Sequence, residues 1–295
     1  MATGIACLIG VVALWSFVPV LIKQLLPVFD PLTIAFLRLA QGAAVVLALF
    51  LWGGRRRNAL RLSGWHLLGG VGIGLNYGFY ALSLSYTLAS AGALIVQVQY
   101  VTLAVLAAVF LGERLSRGRV LGILLVLAGI AAIVGTRSDI GHLLAPRYTF
   151  GNVLMLFSGI GWGLYGLANK ALVGRAGTAA SLLPMMAVGA ALTAVPAAWR
   201  FELHAPPGPE SALMVVALGA LATGGSYILV SEGMKRLSAA LVGSSTALAP
   251  VGQIAMAHLF LDERLSWSLA AGGATVLAGI LCMLYAERRP PPRGA

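Results

Sequence analysis

The chain reads as a succession of apolar blocks, each near twenty residues long and parted by short polar turns. At 1.5 Å per residue, a helix of that length crosses the roughly 30 Å hydrocarbon layer of a bilayer. Ten such runs are legible, over 5–22, 32–52, 65–84, 90–111, 118–135, 150–169, 179–199, 211–231, 239–260 and 268–286. Stretches such as Val120–Val134 are apolar at nearly every position. A membrane barrel strand would alternate apolar and polar over about ten residues instead. Helices are the expectation, because a helix in lipid satisfies its own backbone groups. The connecting segments are short and leave no room for a separate soluble domain.

The pattern repeats. Phe110-Leu111-Gly112-Glu113-Arg114-Leu115-Ser116 returns as Phe260-Leu261-Asp262-Glu263-Arg264-Leu265-Ser266, and Leu127-Ala128-Gly129-Ile130 returns as Leu277-Ala278-Gly279-Ile280 at the same offset. Asn76-Tyr77 answers to Ser226-Tyr227, and Trp15 and Lys23 answer to Trp162 and Lys170 at an offset three shorter. The chain therefore divides into residues 1–140 and 146–295, five runs each, joined through Thr136–Thr149. Five is odd, so the second copy enters the membrane from the opposite face, with Glu113-Arg114 inside and Glu263-Arg264 outside. Inverted repeats of this kind commonly build secondary transporters: two similar halves can exchange conformations and open one central site to either face in turn. The step from repeat to transport is an analogy of architecture.

Two inverted halves, the Leu-Gly-Glu-Arg-Leu-Ser type motif after the fourth run of each, Trp15 early in the chain and Arg38 in the second run together resemble the drug/metabolite transporter superfamily, in its EamA-type exporter branch. The resemblance covers essentially the whole chain, and the overall similarity is greatest to aromatic amino acid exporters of that branch. It implies an all-α membrane protein with ten transmembrane helices in two inverted five-helix repeats around a central cavity. It further implies export of small metabolites from a bacterial inner membrane. The chain departs from the family where Tyr100 stands at a position that is often Pro in the fourth run, while the matching Pro250 is kept. The two halves are therefore expected to bend differently.

Composition excludes several classes. Only 10% of residues are charged and 59% are hydrophobic, with a mean hydropathy of +0.92, against roughly 25% charged in a soluble domain. The formal charge of +11 does not call for nucleic acid, because its distribution describes topology. With the N-terminus inside, fourteen of the 20 basic residues fall on the cytoplasmic side, among them Arg55–Arg57, Arg114, Arg117, Arg119, Lys170 and Lys235, and five fall outside. That bias places both termini in the cytoplasm. The first run is not expected to be a cleaved signal peptide, since Met1-Ala2-Thr3-Gly4 carries no positive charge ahead of it. Cys7 and Cys282 sit within the first and last runs as small apolar packing residues, with no disulfide framework or metal cluster implied.

No Asp or Glu lies in the middle of a run. A buried carboxylate is the usual proton relay or cation counter-ion in a membrane, so a pump for cationic drugs is disfavoured. Phosphorylated substrates would want several cavity cations, and only Arg38 qualifies. No nucleophile–base pair, zinc motif or phosphate loop stands out, so no enzyme and no cofactor are expected. In the third run, Gly70, Gly74 and Gly78 form a packing stripe, and Asn76, Tyr80 and Ser83 lie on the roughly opposite face, expected to look into a cavity. Ser158, Trp162, Tyr165 and Asn169 share a stripe of the sixth run, Gln97 and Tyr100 a face of the fourth, and Ser244, Ser245 and Gln253 belong to the ninth. Trp15 and Trp162 are mid-run, too deep for the interfacial belt that Trp52, Trp65 and Tyr86 suit.

Amides, hydroxyls and flat rings suit a zwitterionic small molecule with an aromatic or large apolar side chain. Each also has a plainer reading, since helix–helix hydrogen bonds account for many polar residues in membrane bundles. Arg38 either meets a substrate carboxylate or, as the favoured reading, snorkels outward, caps carbonyls or pairs with an outer acid such as Asp30. His258 is read as a rim or packing residue. The two Glu-Arg pairs are read as end anchors. The expectation is therefore a carrier for a small molecule in a lipid bilayer, with no nucleic acid partner and no metal. Alternatives are a channel-like pore and an uptake carrier for other small neutral solutes. Accessibility of terminal tags in spheroplasts tests the topology: both should stay protected until the membrane is permeabilised, and one accessible terminus refutes it.

Overall fold

The computed structural model describes residues 2–52, 62–113, 115–135, 145–236 and 246–287. They form helices α1 (Ala2–Leu25), α2 (Pro31–Trp52), α3 (Gly64–Leu84), α4 (Ala89–Ile95), α5 (Val98–Leu111), α6 (Arg117–Gly135), α7 (Pro146–Ala176), α8 (Thr178–Trp199), α9 (Pro209–Val216), a π-helical run Ala217–Gly225, α10 (Ser226–Arg236), α11 (Ala249–Leu261) and α12 (Trp267–Glu287). Among the described residues, nine helical runs are long and apolar enough to cross a membrane, and α11 is a shorter apolar helix. The only non-helical pairing among them is a single bridge between Phe29 and Leu203. Leu121, Leu124 and Leu127 on α6 are about half exposed, as lipid-facing side chains should be.

The halves pack by exchange. α3 lies against α7 and α8, and its counterpart, the π-helical run continuing into α10, lies against α2 and α1. α5 packs on α7 as α11 packs on α1, while α2 pairs with α8 and α6 with α12. The α6–α12 pair shows the inversion directly. Gly118 faces Ala286, Gly122 faces Gly279 and Gly129 faces Gly272, so equivalent helices run antiparallel. A Cβ on Gly129 would come within 2.7 Å of the Gly272 carbonyl oxygen, and one on Gly279 within 2.7 Å of that of Gly122. Such contact brings backbones together where side chains of any size would hold them apart. The predicted stripe on α3 behaves likewise in part. Gly70 and Gly74 meet α8 at Val188 and Gly189, whereas Gly78 has only Leu32 within 4 Å.

Both halves turn within one residue of the same register, although only the second has a proline there. α4 and α5 are separated at Val96-Gln97, and the second half turns at Ala247-Leu248 before α11. The first break forms without proline: the Gln97 amide Nε2 donates to the Ala93 carbonyl at 2.7 Å, capping the end of α4. In the second, Pro250 sits in the first turn of α11, where its missing N–H costs nothing. Each broken span ends alike, with a left-handed residue, Gly112 at φ 69° and Asp262 at φ 53°. The next amide reaches back to the Ala107 or Ala257 carbonyl.

The left-handed residues place Glu113 and Glu263, and the two ends then differ. Glu263 is buried and crosses to the other half. Its carboxylate accepts from the Ala89 and Ser90 amides at 2.7 and 2.9 Å and from the Ser90 hydroxyl, capping the N-terminus of α4. Glu113 pairs with Lys170 at 2.5 Å and Arg119 at 3.1 Å. Partial burial works against ionisation of Glu113, but those two cations hold its carboxyl below the usual range.

The glycine contacts generate a stability prediction. Gly129→Ala should cost about 1–3 kcal/mol by overpacking the α6–α12 seam, while Gly64→Ala, with open space around it, should cost nothing. Thermal unfolding of the purified protein in detergent reads both. Equal melting temperatures for the two variants would contradict the close backbone approach.

Candidate functional site

A cavity lies between the halves, close to both breaks. Its wall pairs equivalent residues from the two copies: Trp15 with Trp162, Tyr77 with Tyr227, and Tyr100 with Pro250. Gln97, Asn76, Tyr80 and Gln253, all expected to face a cavity, also line it. The rings form a connected cluster at and behind this wall. Tyr100 and Trp162 are 5.8 Å apart between centroids, Trp162 and Tyr165 6.1 Å, and Tyr165 and Tyr227 5.8 Å, all tilted or edge-on. Their hydroxyls lie close enough to interact, Tyr165 with Tyr227, Tyr227 with Tyr77, and Tyr100 with Thr246 across the halves. The π-helical run widens the helix just before Tyr227, and the Thr223 hydroxyl bonds the Leu218 carbonyl five residues back. A π-turn re-aims the side chains of the next helical turn.

Several expected site residues serve the scaffold instead. Ser158 is fully buried between α3 and α7. Its hydroxyl donates to the Asn76 carbonyl at 3.0 Å and accepts from Asn76 Nδ2 at 2.9 Å. Ser83, also expected to face the cavity, donates to the Gly151 carbonyl at 2.8 Å. Both lie where glycines let α3 and α7 approach, with a Gly72 Cβ only 2.7 Å from the Gly161 carbonyl, so their hydroxyls are spent across that contact. Tyr165 sits behind the wall and braces Trp162 and Tyr227 without lining the cavity. Asn169 is off the wall, with its buried Oδ1 unpartnered among the described residues. A 3.6-residue stripe identifies one helix face but not how far along it the cavity extends. Ser244 and Ser245 lie outside the described residues. Tyr86 and Trp65, expected at the interface, are packed, Tyr86 edge-on against Phe150 at 5.0 Å and Trp65 against the core, while Trp52 is exposed.

Arg38 corrects the favoured reading of an outward or Asp30-paired cation. It is 6% exposed and lies on the cavity wall, with its guanidinium carbon 4.2 Å from the Tyr77 ring centroid. Asp30 is engaged elsewhere, accepting from the Leu32 and Thr33 amides and the Thr33 hydroxyl at the start of α2. Tyr77 and Tyr227, which hold the cation and the wall together, were visible in the sequence only as a matched pair in the repeat. Their offset of 150, shared with the Glu-Arg motif, was the available signal.

The polar inventory of the cavity is one guanidinium, several amides and phenols, two indoles and the Thr246 hydroxyl, with no acid among the described lining residues. Arg38 Nε, the Tyr80 hydroxyl and Gln253 Oε1 are buried without a protein hydrogen-bond partner among the described residues. Such groups are costly to leave idle and point to a guest that engages them. Gln253 is positioned by its Nε2, which donates to the Trp15 carbonyl at 3.1 Å. Among the described residues, no group of three or more His, Cys, Asp or Glu is placed to hold a metal ion.

Comparison with known proteins places this geometry. The EamA-like transporter family model matches residues 2–135 and 149–285. The aromatic amino acid exporter YddG of Ancylobacter novellus is 29% identical over 296 residues, covering 98% of this chain and 100% of that protein. YhbE of Escherichia coli K12, named an uncharacterized inner membrane transporter, is 28% identical over 178 residues, covering 58% of this chain and 55% of that protein. A solved crystal structure matches with a TM-score of 0.70 at 24% identity, covering 98% of this chain and 99% of that one, a likeness of fold.

The scaffold role of Ser158 is measurable. A double-mutant cycle with Asn76→Leu and Ser158→Ala should give a coupling of about 0.6 kcal/mol, the average for such bonds in membrane bundles. Unfolding in detergent or bicelles supplies the four stabilities, and purely additive losses would show that the two side chains do not act as a pair.

Proposed function

We propose that this chain, which belongs to the EamA-like transporter family, exports zwitterionic amino acids with aromatic or large apolar side chains by alternating access. It is a multi-pass membrane transporter of small molecules. The finer reading rests on one observation: a cavity between the halves walled by Trp15, Tyr100, Trp162 and Tyr227, with a single buried guanidinium at Arg38. Flat rings accept an aromatic side chain, and the amides and phenols accept the polar end. The relative named as an aromatic amino acid exporter, similar over its full length, supports the substrate class and the direction.

In this reading the protein sits in the bacterial inner membrane with both termini cytoplasmic, and its repeats are residues 1–140 and 146–295. Glu263 then marks the outer end and Glu113 the inner. Exchange between faces occurs by bending at Val96-Gln97 and Ala247-Leu248, the two places where a span is interrupted next to the guest. Interrupted helices are tolerated at membrane depth only where protein or a cavity covers them. The Glu263 cap on α4 holds one end while the other moves. Two related helix ends with different partners suit a carrier that alternates, more than a channel-like pore open at both faces.

The test is counterflow of phenylalanine and alanine in proteoliposomes. Wild-type flux should saturate and favour phenylalanine. Trp162→Ala removes a ring whose stacking contributes about 0.5–1.5 kcal/mol, so phenylalanine flux should fall severalfold and alanine flux much less. A folded variant with the wild-type ratio would remove Trp162 from the selectivity site. Flux that never saturates would replace the carrier with a pore.

A further inference from the structure

Arg38 is a permanent cation, since guanidinium is not deprotonated in proteins. It is 6% exposed in the middle of the bundle, and its Nε has no protein partner among the described residues. The Tyr77 ring, 4.2 Å from its centre, offers a face but no countercharge. The acids that pack near the cavity ends are spent. Asp30 caps α2, Glu263 caps α4, and Glu113 pairs with Lys170 and Arg119. Glu232 lies further along α10 than Tyr227 and is not on the wall. Among the described residues, the cavity wall therefore carries one positive charge and no acid to compensate it.

We propose that this cavity recognises its guest by the carboxylate and not by the ammonium, so that aromatic monocarboxylates without an amine are substrates too. This rests on the function proposed above and names what the site reads. A monoanion neutralises Arg38. A zwitterion also presents its carboxylate, but its ammonium then finds no anion and must rely on Gln253 Oε1 and ring faces. An amine without a carboxylate would put a second cation beside the first. The geometry suits the anion. The guanidinium fork presents parallel donors that match a carboxylate's two oxygens. The Tyr80 hydroxyl, buried and unpartnered on the same wall among the described residues, is a further donor. The second half has Met185 at the position equivalent to Arg38, so the cation breaks the repeat's symmetry, unlike the paired rings around it.

Three ligands with the same phenyl ring and two-carbon chain separate the charges: phenylalanine, 3-phenylpropionate and 2-phenylethylamine. Their binding to the full-length protein in nanodiscs is measured by calorimetry, and each is tested as a competitor of phenylalanine counterflow. Phenylpropionate should bind at least as tightly as phenylalanine and compete with it. Phenylethylamine should bind at least about tenfold more weakly, the scale of one charge-assisted hydrogen bond. Arg38→Gln should weaken both carboxylates and leave the amine unchanged or improved, and Arg38→Lys should restore part of the loss. The ligand series needs no variant, so it decides even if Arg38→Gln fails to fold. If phenylalanine binds and phenylpropionate does not, carboxylate recognition is wrong and the proposed function stands. Equal binding of amine and acid also overturns it. If none of the three binds, the proposed function falls and this inference falls with it.

Discussion

Inside a bilayer every backbone N–H and C=O needs a partner from the protein, because lipid supplies none. A span that breaks midway exposes such groups at each new helix end, and this chain breaks two spans next to its cavity. The Gln97 amide takes a carbonyl at the end of α4, Pro250 removes an N–H at the start of α11, and the buried carboxylate of Glu263 takes two amides at the start of α4. The Glu263 contact comes from the opposite half. The break itself is thus satisfied within each half, while the Glu263 carboxylate ties the far end of α4 to the opposite half.

The scaffold around the cavity is two-fold in plan. The glycine seam between α6 and α12 and the exchanged packing of α3 and α10 repeat from one half to the other. The rings of the wall repeat as well, Trp15 with Trp162 and Tyr77 with Tyr227. What does not repeat is the charge at the cavity and the helix type: Arg38 has no charged counterpart, and among the described residues only the second half carries a π-helical run. Two-fold parts can exchange shapes at low cost, while the unmatched parts give the site one orientation for its guest.

That division explains which site residues could be read in advance. Trp15, Trp162, Asn76, Tyr80, Gln97, Tyr100 and Gln253 were legible because a polar or aromatic residue in mid-span is expensive unless it has a partner or a cavity. Ser83, Ser158 and Tyr165 satisfied the same criterion and turned out to be scaffold. A hydroxyl that bonds a facing carbonyl and one that waits for a guest look identical in sequence. Arg38 was misjudged for a related reason. Depth along a helix tells how far a cation must reach for water, but not whether an aromatic face lies closer.

The sequence by itself determined the membrane-spanning helices and the inverted duplication, because apolar run length and internal repetition are properties of the chain alone. It also held the absence of a mid-span acid, and with it the limits on what the cavity can neutralise. Only the tertiary structure decided that both halves turn within one residue of the same register, that Glu263 caps a helix of the other half, and that Arg38 turns inward onto Tyr77. Each of those depends on which residue of a distant segment lies within about 3 to 4 Å, the range of hydrogen bonds and side-chain contacts. Periodicity fixes the face a side chain occupies, but only packing decides what stands opposite.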